Sequence, residues 1–98
     1  MTTYLIASYT ITDPEGYAPY PAAVAPTLVP HGGKLLVADF NSETLEGEPH
    51  PVTVIVKFPT RAAARAWYRS PEYQAVMGLR TAHTNGTAVF ADEWAPLA

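Results

Sequence analysis

Four short stretches rich in β-branched and aromatic residues alternate with stretches whose apolar residues recur at helical spacing. Residues 4–11 predict the first strand, with Tyr4, Ile6, Ser8 and Thr10 on one face and Leu5, Ala7, Tyr9 and Ile11 on the other. Both faces carry apolar groups, so both need cover. Asp13-Pro14-Glu15 is a helix-start signal. Asp13 can cap, Pro14 suits the first helical position, and Glu15 complements the positive end of the dipole. Tyr17, Tyr20 or Pro21, Val24 and Leu28 follow at helical spacing. Pro19, Pro21 and Pro26 predict a broken or kinked helix, because each lacks an N–H and crowds the preceding turn. Tyr20-Pro21 offers a restart point. His31-Gly32-Gly33 ends the element, since glycine supplies the left-handed cap conformation.

Residues 35–40 predict a second strand, 41–51 a long hairpin loop with Gly47, Pro49 and Pro51, and 52–58 a third strand. Pro59-Thr60 stops that strand and caps an Ala-rich helix over 61–69, expected to bury Ala63, Ala66 and Trp67. Ser70-Pro71-Glu72 repeats the cap-then-proline signal and opens a short helix. That helix carries Tyr73, Val76, Met77 and Arg80 on one face. Residues 81–86 read as a loop and 87–92 as a fourth strand. The order is βαββαβ, an α+β chain built on the split βαβ or ferredoxin-like motif, with a four-stranded antiparallel sheet. Two helices cover one sheet face. The other face is apolar too, and sheet-on-sheet packing with a second copy, a homodimer, is the cover the pattern predicts.

Composition sharpens this picture. The 98 residues suit one domain, residues 1–98. They are 48% hydrophobic and 15% charged, against a usual charged fraction of about 25%. A small chain so poor in charge has more apolar surface than one thin core can hide, which again favours self-association. The net charge of −3 leaves no basic face, so a nucleic-acid partner is not expected. Arg61, Arg65 and Arg69, four apart, line one helix side, either as a solvated face or as an anion or partner patch.

The absence of cysteine excludes a disulfide scaffold, a thiol nucleophile and any thiolate-bound metal, and is compatible with a cytoplasmic location. Residues 1–11 have no basic leading segment and read as a strand and not as a signal peptide. No apolar run approaches the length of a membrane span. His31, His50 and His83 show no metal-ligand spacing, and no G-x-S-x-G, P-loop or G-x-G-x-x-G occurs. Neither a metal nor a cofactor is expected.

His31 heads the candidates for chemistry. It lies where a helix ends beside two glycines, a place where a ligand can approach the backbone, and histidine can act as a general base near neutral pH. The plainer alternative is a helix-terminal residue that favours the dipole and caps carbonyls. Asp39 lies among apolar neighbours in a strand, either exposed, paired, or in a site. Glu46 precedes Gly47 in the hairpin loop, as a turn residue or a ligand contact. Arg80, on an apolar helix face, needs a carboxylate partner from the protein or from a ligand. The aromatic set Tyr9, Tyr17, Tyr20, Trp67, Tyr68 and Tyr73 is large for so small a chain. Core packing accounts for most of it. Tyr9, Tyr20, Trp67, Tyr68 and Tyr73 are the candidates to line a pocket for a flat apolar ligand.

Several stretches taken together carry a family likeness: Thr12-Asp13-Pro14-Glu15-Gly16-Tyr17, His31-Gly32-Gly33-Lys34, Leu45-Glu46-Gly47, Val56-Lys57-Phe58-Pro59 and Ala66-Trp67-Tyr68-Arg69-Ser70-Pro71-Glu72-Tyr73. In this order and spacing the chain resembles the domain of unknown function family 1330 over nearly its whole length. The run from Trp67 to Tyr73 is the most specific part. The resemblance implies the dimeric α+β barrel superfamily, in which two ferredoxin-like units pack sheet against sheet. Relatives in that superfamily include cofactor-free monooxygenases, lactone isomerases and haem-degrading or chlorite-processing enzymes, with sites between sheet and helices. The family has no established common activity, so the resemblance transfers no catalytic residue.

Three functions are compatible with the sequence. The first is a homodimer that binds a small apolar or acidic metabolite between helices and sheet. The second is a cofactor-free isomerase or monooxygenase in which His31 moves a proton while Arg80 or a tyrosine hydroxyl holds the substrate. The third is a structural or interaction dimer.

Overall fold

Strand β1 (Thr3–Ile11) runs into a four-residue helix α1 (Pro14–Tyr17), capped by the Asp13 carboxylate, which accepts from the Gly16 N–H. The computed structural model describes residues 1–95. Residues 96–98 of the predicted domain lie outside the described residues. After α1 the chain breaks at Pro19 and restarts as α2 (Tyr20–Leu28), with Pro21 in its first turn and Pro26 inside it. A single 3₁₀ turn, Val29–His31, follows. Gly32 then adopts φ 70°, in the left-handed region, and donates its N–H to the Val29 carbonyl, while Gly33 N–H reaches the Leu28 carbonyl. These bonds satisfy the last carbonyls of the helix, as a glycine cap should.

Strand β2 (Lys34–Asp39), β3 (Val52–Phe58), α3 (Arg61–Arg69), α4 (Pro71–Thr81) and β4 (Thr84–Asp92) complete the order. Thr60 and Ser70 cap α3 and α4 by accepting from the Ala63 and Tyr73 N–H groups. The sheet runs β2-β3-β1-β4 with every neighbouring pair antiparallel, the ferredoxin-like arrangement.

Two details depart from the sequence reading. The fourth strand starts at Thr84 and not at residue 87, and Ala82-His83 is the whole link from α4. The cause is pairing: Thr84, Asn85 and Gly86 lie opposite Ile11, Thr10 and Tyr9. Gly86 is a strand glycine at a close crossing, where any Cβ would collide with the Ser8 carbonyl and with Tyr9. The second departure is the phase of α3. Ala64 and Trp67 are buried, Ala63 is half-buried and Ala66 is exposed. Alanines occur on several sides of this helix, so Trp67 sets the inward face, and Ala64 shares it three residues earlier.

Ala7, Tyr9, Val52, Val56 and Phe58 face the helices and pack with Ala64, Trp67 and Tyr73. Across the opposite face, the register aligns Val37, Ile55, Ile6 and Val89 into one apolar rung over all four strands. Nothing in the described chain covers it: Ile6 is 36% exposed, Val37 36% and Val89 52%. Among the described residues no helix is long and apolar enough to cross a membrane.

Candidate ligand cavity

A cavity of about 270 Å³ opens between the sheet and the helices. Leu5, Ala7 and Tyr9 of β1, with Val54 and Val56 of β3, form its floor. Tyr17 of α1, Tyr20 and Val24 of α2, Trp67 and Tyr68 of α3, and Tyr73 and Arg80 of α4 form its walls. The broken first helix sets this arrangement. Breaking at Pro19 gives two short segments that bring Tyr17 and Tyr20 to the same wall, with ring centroids 5.6 Å apart.

Trp67 anchors the other side. It is 1% exposed, and its indole N–H donates to Thr27 Oγ1 at 3.0 Å. The Thr27 hydroxyl in turn donates to the Val24 carbonyl at 2.6 Å. Trp67 lies 4.0 Å from Tyr73 between ring centroids. The Ser70 hydroxyl ties the two together, donating to the Trp67 carbonyl at 2.7 Å and accepting the Tyr73 N–H at 3.2 Å. This double use of Ser70 places both rings against the cavity.

The polar groups of the cavity form two linked sets. Tyr9 and Tyr17 share a hydrogen bond between hydroxyls at 2.7 Å. Tyr20 and Tyr73 share one at 3.1 Å, and Arg80 Nη2 donates to the Tyr73 hydroxyl at 3.3 Å. Burial, then the bond to Tyr17, pushes the Tyr9 pKa far above the ordinary phenol value. Burial, then Tyr73, does the same to Tyr20. Both are therefore neutral hydroxyls at physiological pH. Burial opposes the Arg80 charge, but the oxygens of Tyr73 and Tyr20 more than offset it, and the guanidinium stays protonated.

The sequence reading left open whether Arg80 finds a protein carboxylate. It finds none: the close contacts between basic and acidic side chains among the described residues are Arg61–Asp92 and His83–Asp13. Phenol oxygens stand where that carboxylate was expected, because α4 faces α2 at this level and α2 carries no acidic residue.

Of the candidates, Tyr9, Tyr20, Trp67, Tyr68, Tyr73 and Arg80 come together around the cavity. His31, Asp39 and Glu46 do not line it. His31 sits half-buried in the 3₁₀ turn, where it occupies the last helical turn before the Gly32 cap. Asp39 is exposed at the end of β2, and its carboxylate accepts the Asn41 N–H at 2.8 Å. Glu46 is exposed in the hairpin loop. Tyr17 is the polar member of the wall that the ligand candidates omitted. Its three-residue spacing from Tyr20 was the available signal, obscured by the intervening Pro19.

Fold and cavity together define a ferredoxin-like α+β protein with a pocket between sheet and helices. The chain belongs to the family described as domain of unknown function (DUF1330), whose pattern matches residues 2–94. Among solved structures it is similar to a protein of unknown function from Rhodopseudomonas palustris, at 20% identity and a TM-score of 0.79, covering 97% of this chain and 84% of that one. It is also similar to SnoaB, a cofactor-independent oxygenase from Streptomyces nogalater, at 12% identity and a TM-score of 0.65, covering 98% and 96%. A third likeness is to a dimeric ferredoxin-like protein of unknown function from Bacteroides fragilis, at 12% identity and a TM-score of 0.56, covering 94% and 96%. No curated protein matches the chain.

Proposed function

We propose that this protein is a homodimer that binds a small apolar or acidic molecule in the cavity between its helices and sheet. The observation that carries the binding half is the cavity wall, where five tyrosines and one arginine converge on an otherwise apolar space of about 270 Å³. That volume sits just below the range of about 300–1,000 Å³ usual for pockets that take drug-sized ligands, so the ligand is small. The assembly half is supported by the uncovered rung Val37–Ile55–Ile6–Val89 and by the dimeric state of the Bacteroides fragilis relative in fold.

Binding is favoured over proton abstraction by the chemistry of the wall. Its polar side chains are phenols, an indole and a guanidinium, and among the described residues no carboxylate or imidazole lines it. A general base must come within hydrogen-bond reach of the proton it removes and must be unprotonated near neutral pH. Buried Tyr9 and Tyr20, held as neutral hydroxyls, do not meet that condition.

Native mass spectrometry of freshly purified protein tests both halves at once. A dimer mass with a co-purified adduct is expected. A monomer at micromolar concentration would overturn the assembly half. A bare dimer, with a broad ligand screen that leaves the melting temperature unmoved, would overturn the binding half.

A further inference from the structure

The proton count of the cavity goes further than its shape. Five tyrosines line the cavity, and the hydroxyls of four, Tyr9, Tyr17, Tyr20 and Tyr73, make two hydrogen bonds with one another. Each bond uses one O–H, so one O–H of each pair is left over. The partners of these four hydroxyls among the described residues are one another and Arg80. The leftover protons therefore have no acceptor in the described chain. Arg80 adds a fixed positive charge and further N–H groups, half-buried and facing no carboxylate. A wall with surplus donors, one net charge and no acidic group is complementary to an anionic oxygen. The remaining wall is aromatic and aliphatic, which suits a flat apolar body.

We infer that the cavity takes a small planar monoanion, an aromatic or conjugated carboxylate, with its carboxylate held by Arg80 and the Tyr20–Tyr73 hydroxyl pair and its ring against Trp67 and Tyr68. This deepens the pocket reading above and rests on it. An aromatic enclosure can also attract a cation. Here Arg80 occupies the place such a cation would need, and like charges repel.

Isothermal titration calorimetry with three probes of one shape decides the matter: naphthoate, naphthamide and naphthylmethylammonium. Naphthoate is expected to bind about 10–100-fold more tightly than the neutral amide, the range for a hydrogen bond to a charged group. In Arg80→Met that preference falls to within about threefold while amide binding persists. The ranking in the unaltered protein needs no variant, so it holds even if Arg80→Met folds poorly. Equal affinity for acid and amide would leave the pocket reading standing and overturn this inference. Tightest binding of the ammonium would overturn it in the same way. No binding of any probe would remove the inference together with the pocket.

Discussion

Tyr9 and Tyr20 carry a pH dependence set first by burial, whereas at Tyr4 the hydrogen bond to Glu93 is the first cause of the rise. Burial raises their folded pKa above the ordinary phenol value of about 10. The unfolded chain would therefore lose these protons first as pH rises. Their contribution to stability is complete below about pH 10 and is lost as pH climbs toward the folded value. An absorbance titration of phenolate formation should accordingly show a late group of tyrosines that ionise only as the circular dichroism of the fold collapses. Tyr9→Phe should shrink that late step. Ionisation of all six tyrosines near the ordinary value, with the fold intact, would contradict the placement of these rings. At this scale the sequence was informative about residue type and weak about direction. The tyrosines that meet at the cavity come from four helices and a strand. Only Tyr17 and Tyr20 were close enough in sequence for spacing to relate them, and a proline lies between. His31 illustrates the converse: its glycine neighbours mark a helix end that needs a left-handed residue, and that geometric need accounts for them without a ligand.

The four strands and the break in the first helical segment were legible because each rests on a local signal. β-branched runs, cap residues and prolines act within a few positions. The start of β4 was not legible, because Asn85-Gly86 is a turn signal locally and a strand only through its partner β1. That glycine gives the element its clearest test. Gly86→Ala should cost about 1–3 kcal/mol in urea unfolding, the usual penalty for forcing extra atoms into a filled space. Amide exchange should quicken along β4 more than along β2. An unchanged stability would mean that β4 and β1 do not approach as closely as described. The helix α3 shows the second limit of local reading. Its alanines and regularly spaced arginines fit more than one inward face, and only the packing of Trp67 against Phe58, at 5.4 Å between ring centroids, selects one.

Seen as a whole, the molecule is a sheet with two uses. Its helix-facing side floors the cavity, and its other side presents the apolar rung. Ile6 lies at the centre of that rung and outside the cavity wall. Ile6→Glu should therefore leave the protomer folded while shifting sedimentation from dimer to monomer, since a charge buried without a partner in a sheet-to-sheet interface is strongly disfavoured. A dimer of unchanged affinity would show that this face is not where two copies meet. The same alternation has a genetic consequence. In β1, Leu5 belongs to the cavity and Ile6 to the outer rung; in β3, Val54 and Ile55 divide likewise. Losing one codon within either strand would exchange the two sets, sending lining residues outward and rung residues inward. Single-base substitutions can thus tune one face without touching the other. Single-codon deletions in these strands damage both, and tolerance of length change is expected only in segments such as the loop over 41–51.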